Sequence, residues 1–357
     1  MKAKLKLFSF QLLLLLILLV SVEISLRLMG YPPGDMRPNW INFHPVDSLV
    51  VIPSFYVNHD GILIADSTLL AAEHCKINSD GFRSPDFNKL DSTKRKILFI
   101  GDSFTWGLSA MPVTDHCFVD LVRNETNYEV INLGIPATDP PQYEALAAKY
   151  IPRFKPAITF VVFFMGNDLL TEDRKVTPDE PFYYYTNAGA ISADIDGIHF
   201  KSAQAAYNYG MNERYFLHHP KNVFEWVISK SALLSRLYSV KFRIKEKMEY
   251  EAAVKDSHIT KNYLKQIQEI ARQNNVPVKF ILVPEYKDAD RSPESYLAKY
   301  ADILLDKDLK NDWIILPNTK ANFRDYPDGH LNNQGHRHYA DFIKGYLKRF
   351  FGPDGGR

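Results

Sequence analysis

The chain has 357 residues, 46% apolar and 24% charged, enough for one large core or two modest ones. A formal charge of +1 leaves no basic excess for a polyanion, so no nucleic-acid partner is expected. Its two cysteines, Cys75 and Cys117, form no C-x-x-C and no spacing suited to zinc, and the sequence does not choose between a disulfide and two thiols.

Lys2, Lys4 and Lys6 precede an uncharged run from Leu7 to Val22, which Glu23 and Arg27 close. Positive charge ahead of a greasy segment holds the amino end in the cytoplasm and exports the remainder of the chain. The run is slightly short against the ~17–25 residues of a full span. Lys6 can snorkel, however, and Ile24, Leu26 and Leu28 prolong the apolar face. With no small-x-small cleavage site near Val22, residues 1–30 read as an uncleaved membrane anchor, the alternative being a cleaved signal peptide. Everything beyond the anchor is then periplasmic or at the cell surface. Residues 31–93, broken by Pro32, Pro33, Pro38, Pro45 and Pro53, read as a membrane-proximal segment.

From about Lys94 strand and helix patterns alternate. Expected strands are Ile97 to Ile100, Glu129 to Asn132, Ala157 to Met165, Val278 to Val283 and Trp313 to Leu316. Asp139, Pro140 and Pro141 open a helix with an apolar stripe through Tyr143, Leu146, Ala147, Tyr150 and Ile151; Lys261 to Asn274 is another. The last helix aligns Tyr339, Phe342, Ile343, Tyr346, Leu347 and Phe350. This order predicts a three-layer α/β/α sandwich around a doubly wound, mostly parallel five-stranded sheet. Between residues 169 and 256 the alternation lapses. A tyrosine run at 183–185, a turn at Asp194-Ile195-Asp196-Gly197 and one or two amphipathic helices over Phe224 to Tyr250 read as a lid-like insertion in the domain spanning 94–357.

Four features then fall at matching ends of successive elements: Ser103 after the first core strand, Gly134 after the second, Asn167 after the third, and Asp328-Gly329-His330 before the last helix. In a parallel sheet these ends share one crevice. Together they are the parts acyl transfer needs. A serine hydroxyl attacks only when a base takes its proton, and His330 is the histidine best placed to do so. The resulting oxyanion requires preset donors, which the Ser103 N–H, the Gly134 N–H and the Asn167 amide would supply. Each also has a plain structural role open to it: helix cap, turn glycine, Asx turn, loop histidine. His336 and His338, two apart at the start of a helix, point to different faces, so no metal is expected. Nor is any cofactor.

These blocks resemble the SGNH (GDSL-type) hydrolases, which carry Ser, Gly, Asn and His in that order. Gly101-Asp102-Ser103 looks like the first block, Gly134 the second, Gly166-Asn167-Asp168 the third, and Asp328 to His330 with Gly335 the last. The likeness covers roughly Lys94 to Phe351 apart from the insertion, and the anchor with Asn78-Ser79-Asp80-Gly81-Phe82-Arg83 is similar to membrane-anchored bacterial members. The family usually writes its last block Asp-x-x-His; here Asp328 is one residue closer, and it, or failing it Asp325, would orient the imidazole. The resemblance implies a serine esterase acting through an acyl-enzyme on an acylated carbohydrate or lipid. Two alternatives remain open: an O-acyltransferase using the same Ser-His pair, and a non-catalytic envelope binding protein.

Overall fold

A computed structural model describes residues 2–29, 31, 33–34, 55–57, 63–65, 78, 82–110, 113–135, 138–170, 222–324 and 329–352. Cys75, Asp325, Asp328, the tyrosine run at 183–185 and the turn at 194–197 lie outside the described residues. Apart from a short antiparallel pair, β1 (Phe55–Val57) with β2 (Leu63–Ala65), the strands form one sheet. They are β3 (Lys96–Gly101), β4 (Glu129–Gly134), β5 (Ile158–Phe164), β6 (Val278–Val283) and β7 (Trp313–Ile315), in the order β4-β3-β5-β6-β7. Every pairing is parallel.

Strands buried on both faces read as unbroken apolar runs, and pleating sends alternate side chains to opposite sides. Leu98, Ile100, Val161, Phe163, Phe280 and Leu282 enter one core layer; Ile97, Phe99, Phe160, Val162, Ile281 and Val283 enter the other. Among the helices are α1 (Lys2–Leu28), α2 (Ser103–Trp106), α3 (Phe118–Asn124), α4 (Pro140–Phe154), α5 (Val223–Ile228), α6 (Ala232–Lys255), α7 (His258–Gln273) and α8 (Asn333–Phe351). Tyr143, Leu146 and Tyr150 of α4 and Leu264 and Ile267 of α7 fill the first layer. Phe118 and Val122 of α3 and Tyr339, Ile343 and Leu347 of α8 fill the second. The result is the expected α/β/α sandwich.

Local chemistry sets the helix starts. Pro140 and Pro141 occupy the first turn of α4, where an N–H has no helical acceptor, and Gln142 Oε1 accepts from the Asp139 N–H at 3.0 Å. Ahead of the expected domain start at 94, Phe82 is already core. Its ring meets Tyr150 edge-on at 5.4 Å and Phe87 at 5.7 Å.

By compactness the chain divides into two units, residues 1–47 with 204–248 and residues 48–203 with 249–357. The second holds the sheet. The first is built on α1, whose stretch Lys6–Leu28 is 23 residues long and apolar enough to cross a bilayer. Near the end of α1, Glu23 accepts from the Ala232 and Leu233 N–H groups at 2.9 Å each and from the Ser231 hydroxyl at 2.8 Å. An acidic residue of one helix thereby satisfies the open first turn of another.

Candidate active site

At the carboxyl end of β3 the chain turns directly into α2. Asp102 caps that helix, its Oδ1 accepting from the Phe104 N–H at 2.9 Å, and Ser103 becomes the first helical residue. The Ser103 Oγ lies 2.9 Å from His330 Nε2. These side chains are 227 positions apart in sequence and within hydrogen-bond reach in space. The imidazole also lies against the Phe104 ring, centroids 4.8 Å apart.

Residues on either side of His330 are tied to the stretch that ends at Arg324. The Arg324 N–H donates to the His330 carbonyl at 2.7 Å, and Phe323 bridges Leu331. Asn332 caps α8 by accepting from the Gly335 N–H at 2.9 Å, while its amide donates to the Ala321 and Phe323 carbonyls. At position 335 only glycine fits, because a Cβ would stand 2.0 Å from the Asn322 carbonyl oxygen. His330 is thus flanked by two anchored positions, Arg324 bonded to its carbonyl and Asn332 capping the helix that follows.

Asn167 lies just past β5 and is exposed, with its Nδ2 3.5 Å from Asp102 Oδ2. Strands β3 and β5 are adjacent, and β4 lies on the far side of β3, so Ser103 and Asn167 flank the switch in strand order where open α/β sheets form their crevice. As the first residue of α2, Ser103 has an N–H without a helical acceptor. Gly134 is placed differently from expectation. It sits on the edge strand, where alternate N–H groups face away from β3: that of Asn132 meets Ser84 Oγ at 3.0 Å, and that of Gly134 meets Asn132 Oδ1 at 2.8 Å. Its amide is therefore spent on a neighbouring side chain. The glycine has another use, since a Cβ there would lie 2.3 Å from the Trp106 nitrogen of α2. Asp328, the expected partner of His330, lies outside the described residues.

Two buried carboxylates sit behind the serine. Burial pushes Asp102 up to about 6, against the pull of the Phe104 N–H and of charge on His330. Burial, and then the nearby Asp102 charge, push Asp168 well above the usual carboxylate range. Asp168 accepts from the Tyr143 hydroxyl at 3.0 Å and from the Phe164 N–H at 2.7 Å, tying the Asn167 turn to β5 and α4. The remaining histidines part company. His336 is buried, its Nδ1 accepting from the Phe118 N–H at 3.3 Å, and burial brings it down to about 3. His338 is half-buried, a ring nitrogen 2.7 Å from the Pro317 carbonyl. Among the described residues no three His, Cys, Asp or Glu side chains converge as a ligand set.

Two residues absent from the sequence-derived site hold α2. Arg83, 3% exposed, donates from Nε to the Trp106 carbonyl at 2.6 Å and from Nη2 to the Cys117 thiol at 2.9 Å, and its Nη1 pairs with Asp120. Asn132 donates from Nδ2 to the Thr105 carbonyl at 2.9 Å. Both occupy carbonyls that a four-residue helix leaves open at its end. Asn132 was visible as a polar residue inside an apolar strand; Arg83 carried no signal beyond the family-like stretch that contains it.

No family model matches the chain, and neither does any curated protein. Solved structures are similar to it at low identity. Psychrotrophic esterase EstA from Pseudoalteromonas sp. is 9% identical at a TM-score of 0.36, covering 72% of this chain and 98% of that one. A GDSL-like lipase from Bacteroides thetaiotaomicron is 13% identical at 0.34, covering 72% and 89%. The acetyl xylan esterase Est2A from Butyrivibrio proteoclasticus is 12% identical at 0.36, covering 72% and 64%. At such scores the likeness speaks to neither substrate nor activity.

Proposed function

We propose that the chain is a membrane-tethered serine esterase that removes an acyl group, acetyl among the candidates, from an extracytoplasmic glycan or lipid. The 2.9 Å contact between Ser103 Oγ and His330 Nε2, at the carboxyl edge of a parallel sheet, is the observation that carries this reading. Here His330 takes the hydroxyl proton as Ser103 attacks the ester carbonyl, with Asp328 orienting the ring. The Ser103 N–H and the Asn167 amide meet the oxyanion. His330 returns the proton to the departing alcohol, leaving an acyl-serine. Water, deprotonated by the same imidazole, then releases the acid. α1 would hold the chain at the membrane, its amino-terminal lysines inside and the sheet outside.

Changing Ser103 to Ala should abolish turnover of p-nitrophenyl acetate and labelling by a fluorophosphonate, with the melting temperature preserved. Undiminished turnover in a folded S103A protein would rule out the mechanism.

A further inference from the structure

Within the unit built on α1, helix α5 exposes four of its five apolar side chains. Val223 is 77% exposed, Phe224 65% and Trp226 54%, Val227 is also open, and Ile228 is the buried residue of the turn. A second apolar line continues on α6 through Leu234, Leu237, Val240, Ile244 and Met248, all exposed and spaced three or four apart along one helix side. Lysines border both: Lys230, Lys241, Lys245 and Lys247 lie alongside, with the Lys230 ammonium 5.9 Å from the Trp226 ring centre. An apolar helix side edged by lysines, with an aromatic at the junction, has the composition of a segment lying in the headgroup layer of an anionic bilayer.

Its depth is fixed by contacts to α1. Counting about 20 residues from Leu7 places the far side of a bilayer near Leu26. At that level Glu23 and Arg27 form an ion pair at 2.7 Å. Glu23 caps the first turn of α6, and Arg27 Nη2 donates to the Lys230 carbonyl at 3.3 Å in the turn that joins α5 to α6. Beyond it the Arg236 guanidinium stacks on Tyr31 at 4.1 Å, and the Gly34 N–H donates to Ser235 Oγ at 2.8 Å. The α5–α6 turn is thus tied to the point where α1 leaves the hydrocarbon, continuous with the exposed Leu28 and Met29.

We propose that α5 and the first turns of α6 form an interfacial foot that inserts Val223, Phe224, Trp226 and Val227 among anionic lipids beside α1. The foot rests on α1 crossing the bilayer and is independent of the chemistry at Ser103. Its physical sense is leverage: a single helix allows free tilt and rotation, whereas two contacts with the membrane restrain both.

The test uses the full chain in vesicles of phosphatidylcholine and phosphatidylglycerol whose acyl chains are brominated near the headgroup end, with flotation reporting the anchor separately. Wild-type tryptophan fluorescence should be quenched, Trp226→Phe should lose that quenched component, and omitting phosphatidylglycerol should diminish it in the wild type. If the chain floats and W226F is quenched as much as the wild type, the foot is overturned while the anchor stands. Failure to float overturns both. Quenching that disappears as protein density in the membrane rises would mark a second copy as the occupant and overturn the lipid assignment.

Discussion

Replacing Asn167 by Ala separates a donor from a turn residue. The side chain is exposed, and its amide contact with Asp102 Oδ2 is 3.5 Å, beyond the range of a strong hydrogen bond. Its removal should leave stability within about 0.5 kcal/mol of wild type, as for surface changes away from special features. The oxyanion reading assigns the same amide a bond made only as charge develops. Loss of one such donor costs about 2.7–4 kcal/mol, or about 10²–10³ in kcat. Because that bond is absent in the ground state, KM should hardly move. Steady-state hydrolysis of p-nitrophenyl acetate read beside thermal unfolding tests both halves. A kcat within about threefold of wild type would refute the donor role. A fall in melting temperature that accounts for the lost activity would make Asn167 a turn residue.

Gly134→Ala keeps the N–H and adds a methyl 2.3 Å from the Trp106 nitrogen. Displacing α2 should cost about 1–3 kcal/mol in chemical denaturation and lower kcat through Ser103; a variant with unchanged stability and turnover would return the glycine to a role in which packing does not matter. His336 offers a pH test. Held near 3 in the fold against 6.5 for an unburied imidazole, it leaves the native state with fewer protons than the unfolded chain between those values. Its contribution is therefore complete above pH 6.5 and declines as pH falls towards 3, by about 2–3 kcal/mol at about pH 4.5. His336→Gln should flatten the stability profile over that window and move acid unfolding to lower pH. Parallel wild-type and variant profiles would contradict the assignment.

The sheet was legible because its strands are buried on both faces and so advertise themselves as apolar runs such as Ile97–Ile100 and Ile158–Phe164. The candidate site was legible as a placement of residue types: Ser103 and Asn167 follow β3 and β5, and His330, just ahead of α8, comes within reach of Ser103. Direction could not be read. Whether the Gly134 amide faces the crevice or the outer edge depends on which of two alternating orientations the strand adopts, and a single strand's sequence is silent on it until β3 pairs on one side. What the supports of α2 hold was hidden for a related reason. Arg83 and Asn132 act at long range on carbonyls of Trp106 and Thr105, which any residue type would present. The same limit explains the foot. The face of α5 and α6 obeys helical periodicity and so reads only as amphipathic helix within an insertion, and its exposure within the described residues is what separates a stripe bound for protein from one bound for lipid. Periodicity specifies that a face is apolar; the medium that covers it is a property of the assembled chain.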